Sequence, residues 1–208
     1  MFETQPILAV DPGGIRTDTL AQLPHLRRWY GTRGGSPGPI QVKGRAGGFS
    51  EGFAWARSDE REVRWYDGSG RVVQLARWDE EPIPLSPDRQ RRFLEAYEGL
   101  LRSGGADESF VTTRLAEAEE GLGRHEGPLP YWDALLVDRL GNVWLSEYPL
   151  TGQRRERWRV FARDGMFRGW VDIPGAVAIL DATDDRVLAV RLDELDVPAA
   201  VMLELIKP

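Results

Sequence analysis

The chain has 208 residues, which is enough to bury a substantial core, and it carries 33 acidic and 27 basic side chains. It has no cysteine, so disulfides, thiolate metal sites and a cysteine nucleophile are excluded. Its two histidines, His25 and His125, also exclude a histidine-rich metal site. The net charge of −6 creates no overall field that attracts nucleic acid or an anionic membrane surface, so we expect neither as a partner.

Short runs typical of β-strands, separated by turn residues, fill the first third of the chain. The predicted strands are 6–10, 15–23, 52–57, 62–66 and 71–77. Residues 31–48 are rich in glycine and contain Pro37 and Pro39, which predicts an irregular loop around one short strand near 40–42. We therefore expect β-structure that is interrupted by a glycine-rich crossing.

The apolar spacing becomes helical between about 86 and 123. The repeating apolar positions are Phe93, Tyr97, Leu100 and Leu101, and then Val111, Leu115, Ala118 and Leu122. Ser86 followed by Pro87 suits the start of a helix, and the Gly104-Gly105 pair ends it. These signals predict an αα-hairpin inserted at about 86–123.

Strand-like runs resume after the helical segment and continue almost to the last residue. They are 134–137, 142–148, 157–162, 167–173, 176–181, 186–192 and 201–206. The longest apolar runs, such as 176–180 and 199–203, are far shorter than the roughly 20 residues that span a bilayer, so no membrane span is expected. Residues 1–10 carry Glu3 and lack a basic segment before an apolar one, so no signal peptide is predicted there.

A turn of the form Asp-x-x-Gly recurs between predicted strands. It occurs at Asp11–Gly14, Asp67–Gly70 and Asp138–Gly141, with a degenerate copy at 162–165. In such a turn the aspartate accepts backbone N–H bonds and the glycine supplies a positive φ. Positions 67 and 162 are the equivalent first residues of two of these turns, and they lie 95 residues apart. Without the 48 residues of 82–129, which contain the helical segment, the repeat length is 47 residues. A four-stranded propeller blade has a similar length, about 40–50 residues.

The resemblance to a known family rests on the segment 135–145, Leu-Leu-Val-Asp-Arg-Leu-Gly-Asn-Val-Trp-Leu, in which Asp138, Gly141 and Asn142 belong to the turn. Residues 157–165 and 184–197 support it. The chain resembles six-bladed β-propellers of the NHL and TolB-like superfamily, including uncharacterised bacterial members with a helical hairpin just before Leu129-Pro130. The resemblance covers most of the chain from about residue 52.

The resemblance implies a mainly β fold: one partial propeller domain over 1–208, with about three four-stranded antiparallel blades and the inserted hairpin. A six-bladed ring needs about twice this length, so the chain is expected to be the C-terminal half of a longer propeller. Open blade faces would then favour self-association. Related propellers are often exported, which suggests an extracytoplasmic location.

The candidate ligand-binding residues are Trp78 and Trp132, as aromatic side chains at the expected channel mouth, and Asp133 and Glu147, which belong to the same strand–turn–strand region as Asp138. Most of the eight tryptophans are assigned to packing between blades. The repeated Asp11, Asp67 and Asp138 are predicted to be turn residues, because a repeated residue is unlike a single active site. Arg154, Arg155, Arg157 and Arg159 around Trp158 are assigned to a solvated blade edge.

No catalytic constellation is found: the chain has no Gly-x-Ser-x-Gly elbow and no phosphate-binding glycine motif after a strand. We therefore expect no catalytic residue, no metal site and no cofactor. The leading hypothesis is a non-catalytic scaffold that binds an unknown protein or small molecule. The alternative is a propeller hydrolase or lyase acting at the channel mouth, with or without Ca²⁺, and it would need converging carboxylates near Asp133, Asp138 and Glu147.

Overall fold

A computed structural model describes residues 2–10, 16–31, 34–37, 39–149, 157–193 and 197–206. These residues form a mainly β structure, with fourteen strands in four antiparallel sheets and two α-helices. The mainly β class is therefore confirmed. Asp11 and Gly14, the first predicted turn pair, lie outside the described residues.

The four sheets follow one another along the chain, and in each the strands lie side by side in chain order. The first sheet contains β1 (Phe2–Val10), β2 (Arg16–Gly31) and β3 (Gly34–Pro37). The second contains β4 (Gly44–Phe49), β5 (Gly52–Arg57), β6 (Glu62–Asp67) and β7 (Val72–Arg77). The third contains β8 (Trp132–Val137), β9 (Val143–Glu147), β10 (Arg157–Phe161) and β11 (Phe167–Asp172). The fourth contains β12 (Ala176–Ala182), β13 (Arg186–Leu192) and β14 (Pro198–Glu204).

The two helices, α1 (Pro87–Ser103) and α2 (Glu108–Gly123), lie between the second and third sheets in the chain, where the helical spacing predicts them. Ser86 Oγ accepts from the Arg89 N–H, and Asp107 caps α2 in the same way. The segments before α1 and after α2 lie side by side, since the Leu129 N–H donates to the Ile83 carbonyl at 2.8 Å. Neither helix is long and apolar enough to cross a membrane.

The second, third and fourth sheets meet through their first strands, since β4 contacts β8 and β8 contacts β12, whereas the first sheet reaches β4 through its second strand, β2. Strand alternation lets the second sheet bury both of its faces. Phe53, Trp55 and Tyr66 pack towards the first sheet, whereas Ala54 and Trp65 pack towards the third. In the third sheet, Val143 and Leu145 face the second sheet, and Trp144 faces the fourth. The result is a stack of sheets with a separate apolar core at each junction.

Polar contacts join the same sheets at their turns. Trp65 Nε1 donates to the Gly141 carbonyl at 2.7 Å, and Arg163 donates to both carboxylate oxygens of Glu51. Arg139 pairs with Asp181 of β12 at 3.1 Å. The turns of neighbouring sheets are thereby held together at one end of the stack.

The predicted loop over 31–48 is wrong in two places, because Gly34–Pro37 form β3 and Gly44–Phe49 form β4. The short strand predicted near 40–42 is wrong as well, since these residues belong to no strand.

Glycine is needed in β4 for close approach and not for a turn. A Cβ on Gly44 would lie 1.8 Å from the Pro24 carbonyl oxygen, and one on Gly47 would lie 2.6 Å from Val137 Cγ2. The glycines of β4 therefore let β2 and β8 pack directly against its backbone.

Apolar side chains are exposed on the fourth sheet, as they also are on β7 and β11 of the second and third sheets. Leu180 is 52% exposed and Met202 of β14 is 60% exposed. These side chains are the kind of open apolar surface on which the expected self-association depends. Association through this surface stays a prediction.

Candidate functional site

A narrow recess lies where Trp78, just after β7, meets the third sheet. We call it the aromatic recess. It is lined by Trp78, Tyr131, Trp132, Leu145, Glu147, Arg159 and Trp170. It contains no space wide enough for a water molecule. The residues that line it therefore already fill it.

Arg159 is the charged side chain at the centre of the aromatic recess. Its guanidinium lies 4.7 Å from the ring centroid of Trp78 and 4.6 Å from that of Trp170, and it donates to Glu80 at 2.8 Å. Trp78 Nε1 donates to the same carboxylate at 2.9 Å. Two cation–π contacts and a charge-assisted hydrogen bond thus hold a side chain that is only 10% exposed.

The assignment of Arg159 to a solvated blade edge is wrong, because the structure buries it between two indoles. Arg154 and Arg155 lie outside the described residues. The missing information was the pairing of Arg159 with Trp170 across β10 and β11. Alternation along a strand is visible in a sequence, whereas register between strands is not.

Trp132 and Glu147, two of the predicted ligand-binding residues, are cross-strand neighbours in β8 and β9 and line the recess with Trp78. Trp132 is 1% exposed, and its Nε1 has no hydrogen-bond partner in the described structure. Glu147 is exposed, and its carboxylate makes no ion pair or hydrogen bond with the described residues. The recess therefore places a buried donor without an acceptor beside a carboxylate that has no partner in the described part of the chain.

Asp133, the fourth predicted ligand-binding residue, does not line the recess. It pairs with Lys43, the residue just before β4 of the second sheet, at 2.6 Å, and both side chains are largely buried. The Lys43 N–H donates to Ser58 Oγ, and the Tyr131 N–H donates to the Ser58 carbonyl. Asp133 therefore links the second and third sheets.

Tyr148 follows β9, and burial and the charge of Asp133 both affect the pKa of its phenol. Burial, together with the negative charge of Asp133, raises the pKa of Tyr148 from its ordinary value of 10 to about 12. The folded chain thus holds the phenol proton more tightly than the unfolded chain does.

We expect stability to fall as the pH rises from about 10 to about 12. Below this window Tyr148 is protonated in both states; within it the unfolded state loses the proton first, which costs up to roughly 1.4 kcal/mol per pH unit. Urea unfolding at pH 9, 10 and 11 measures the effect, with Tyr148→Phe as the control. A Tyr148→Phe variant with the same slope as the parent would show that another group is responsible.

Two of the predicted turns, at Asp67 and Asp138, have the same backbone geometry: Gly70 and Gly141 have φ of 79° and 84°. Asp67 is partly exposed and accepts from the Ser69 hydroxyl and from the Ser69 and Arg71 N–H groups, which hold the pKa of its carboxyl well below the usual range.

Asp138 is 1% exposed and accepts four hydrogen bonds. The donors are the N–H groups of Leu140 and Asn142, the Asn142 side-chain amide and Trp144 Nε1, at 2.8–3.1 Å. The degenerate turn at 162–165 keeps the backbone form, with Gly165 at φ 82°. The aspartates therefore hold turns, and Asp138 also fixes a buried tryptophan.

In the described part of the chain, no three His, Asp or Glu side chains lie close enough to hold a metal ion. Of the three carboxylates considered for Ca²⁺, Asp133 is paired with Lys43, Asp138 is enclosed by its turn, and Glu147 lines the aromatic recess.

A larger opening lies between α1 and α2, which we call the helix groove. Its floor is formed by Leu94, Leu115 and Leu122. Water-sized groups can enter about 480 Å³ of it. From the sequence, the loops and the helical hairpin are expected to supply any contact surface, but the candidate ligand residues lie only in and beside the sheets and none lies in this groove, although the leucines follow the helical spacing.

A matched pair of tryptophans tests the orphan donor in the recess. Trp65 and Trp132 are both fully buried in the core between the second and third sheets, but only Trp65 has an acceptor, the Gly141 carbonyl. We expect Trp65→Phe to destabilise the chain by about 1–2 kcal/mol more than Trp132→Phe, because only the first substitution breaks a buried hydrogen bond. Urea unfolding followed by far-UV circular dichroism measures both. Equal losses would contradict these hydrogen-bond assignments.

Comparison with known proteins provides no relative from which a function could be transferred. No family model, curated protein or solved structure matches the chain. Its function is therefore inferred from its own contacts, charges and open surfaces.

Proposed function

We propose that the chain is a non-catalytic binding scaffold of the β-propeller type, in which an inserted helical hairpin supplies the contact surface. Support for the propeller arrangement comes from the first strands of the sheets, since β4, β8 and β12 touch in succession. From these strands each sheet continues outward in chain order. Consecutive propeller blades have this arrangement.

The stacked sheets suit the role of a rigid carrier. The second and third sheets bury both faces, and their junction combines an apolar core with the Lys43–Asp133 and Glu51–Arg163 ion pairs. Interiors of this kind deform little, because closely packed side chains have few alternative arrangements. The sheets would therefore keep their shape when a partner binds to the helices.

The observation that carries the proposal is the contrast between the two openings. The aromatic recess has no room for a water molecule, whereas the helix groove is open and has an apolar floor. The side chains of α1 are exposed or half-buried; Leu94 packs on the core cluster that contains Leu122 and Leu101 is half-buried, so both keep part of their apolar surface open. Apolar surface left open on an exposed helix is typical of a contact site.

Excision of the helices tests whether the sheets form a rigid carrier without them. Pro84 and Pro128 form a β-bridge, so a short Gly/Ser linker can join them in place of 85–127. All eight tryptophans lie outside the deleted segment and report on the sheets alone. We expect the near-UV circular dichroism of the tryptophans and a single unfolding transition to persist, at a lower Tm because Leu122 no longer covers Ile40 and Leu129.

The matched control for the deletion is the full chain with Leu122→Ala, which removes the same cover and keeps the helices. If the excised chain loses its near-UV signal while Leu122→Ala keeps it, then the helices are needed for the sheets to fold. That result would contradict the scaffold arrangement.

A further inference from the structure

The lining of the helix groove runs along about three turns of α1 and about two turns of α2. At 1.5 Å per residue, residues 87–98 of α1 and 115–122 of α2 extend for roughly 18 Å and roughly 12 Å. Leu94, Leu115 and Leu122 form the floor between them. A floor of leucines along two helices fits the apolar stripe of a third helix better than it fits a flat or extended ligand.

The rim of the helix groove is acidic. Glu95, Glu98 and Glu119 line it, and the basic residue of the lining is Arg91. Arg91 is already paired with Asp88 and also lies 3.6 Å from Glu95.

The remaining carboxylates of the rim differ in their partners. Glu98 pairs with Arg102 at 2.9 Å. Glu119 is exposed and has no ion-pair partner in the described structure. The lining therefore has an excess of two negative charges, and its charges would repel an anionic membrane.

We propose that the helix groove binds an amphipathic helix of a partner protein whose apolar stripe is flanked by Lys and Arg. This proposal rests on the proposed function, in which the helices are the contact surface. Leu94 and Leu115, which are half-buried, would supply the apolar contact beside the already buried Leu122. Glu95 and Glu119 would select cationic flanks and orient the helix.

The test uses the full chain and three fluorescein-labelled 18-residue helical peptides with one leucine stripe and flanks of Lys/Arg, Gln/Ser or Glu. Fluorescence anisotropy should give the tightest Kd for the basic peptide, at least tenfold weaker binding for the neutral one and the weakest for the acidic one. Raising the salt to 0.5 M should reduce the preference, because exposed charges are then screened.

Two double variants locate the binding. Glu95→Gln with Glu119→Gln removes rim charges and should weaken the basic peptide about tenfold. Glu117→Gln with Glu120→Gln makes the same charge change on α2 but outside the groove lining, and should change Kd less than twofold. Near-UV circular dichroism confirms that each variant is folded.

Three outcomes would overturn the proposal: no binding of the basic peptide, equal binding of the basic and acidic peptides, or equal weakening by the two double variants. These failures are distinguishable from failure of the proposed function. If the excised chain folds but the basic peptide does not bind, the class of partner is wrong and the scaffold arrangement stands. If the excised chain unfolds, the scaffold arrangement is wrong whatever the peptides do.

Discussion

Replacing Asp138 by alanine should lower the free energy of unfolding by about 3–5 kcal/mol. The substitution removes the acceptor for four donors, among them Trp144 Nε1, which is buried at the junction of the third and fourth sheets. A buried donor without an acceptor costs more than the hydrogen bond contributed, because water cannot replace the lost partner. Urea unfolding followed by tryptophan fluorescence measures the loss.

The matched control is Asp67→Ala, which removes the aspartate of the same motif where the turn is exposed. Its donors, the Ser69 hydroxyl and the Ser69 and Arg71 N–H groups, can turn to water, so we expect a much smaller loss. Asp138→Asn should fall between the two, since it keeps one acceptor oxygen. Equal effects of Asp138→Ala and Asp67→Ala would show that Asp138 does no more than hold a turn.

Replacing Gly47 by valine should destabilise the chain by about 3 kcal/mol, because the new side chain would force β4 and β8 apart. A Cβ at this position already lies 2.6 Å from Val137 Cγ2 and 2.8 Å from Val137 Cβ, and the β-branched Val137 has few rotamers with which to move away. Thermal and urea unfolding measure the loss.

Gly48→Val is the matched control for this junction, since a Cβ on Gly48 meets nothing closer than 3.9 Å. It should be neutral or stabilising, because valine favours strands. Val137→Ala combined with Gly47→Val should recover part of the loss, and the double-mutant cycle gives the coupling between the sheets. Additive losses, with no coupling, would contradict the direct contact of β4 and β8.

Local signals predicted most of the elements correctly. The helices follow from apolar spacing and from the capping residue Ser86, which acts within one turn of the chain; Asp107 caps α2 in the same way, although it is not among the predicted caps. The turn at Asp67–Gly70 follows in the same way, because the glycine and the aspartate that define it are neighbours in the sequence.

The parts that the sequence could not predict depend on contacts between sheets. Asp67 and Asp138 share one motif, yet only Asp138 is enclosed, because its turn receives Trp144. The glycines of β4 predict a loop from the sequence alone, because their contacts with Val137 and Pro24 are not visible in it. Arg159 is likewise predicted to be a surface residue, because the sequence does not show that Trp78 and Trp170 lie on its two sides.

Native-state hydrogen exchange tests the central claim, that a rigid stack of sheets carries separable helices. Strands with both faces buried, such as β6 and β9, should hold the slowest amides and exchange only through global unfolding. Amides of α1, which buries no side chain, should exchange through openings at least about 2 kcal/mol less costly. Amides of α1 as slow as those of β9, or sheets that open before the helices, would contradict the scaffold account.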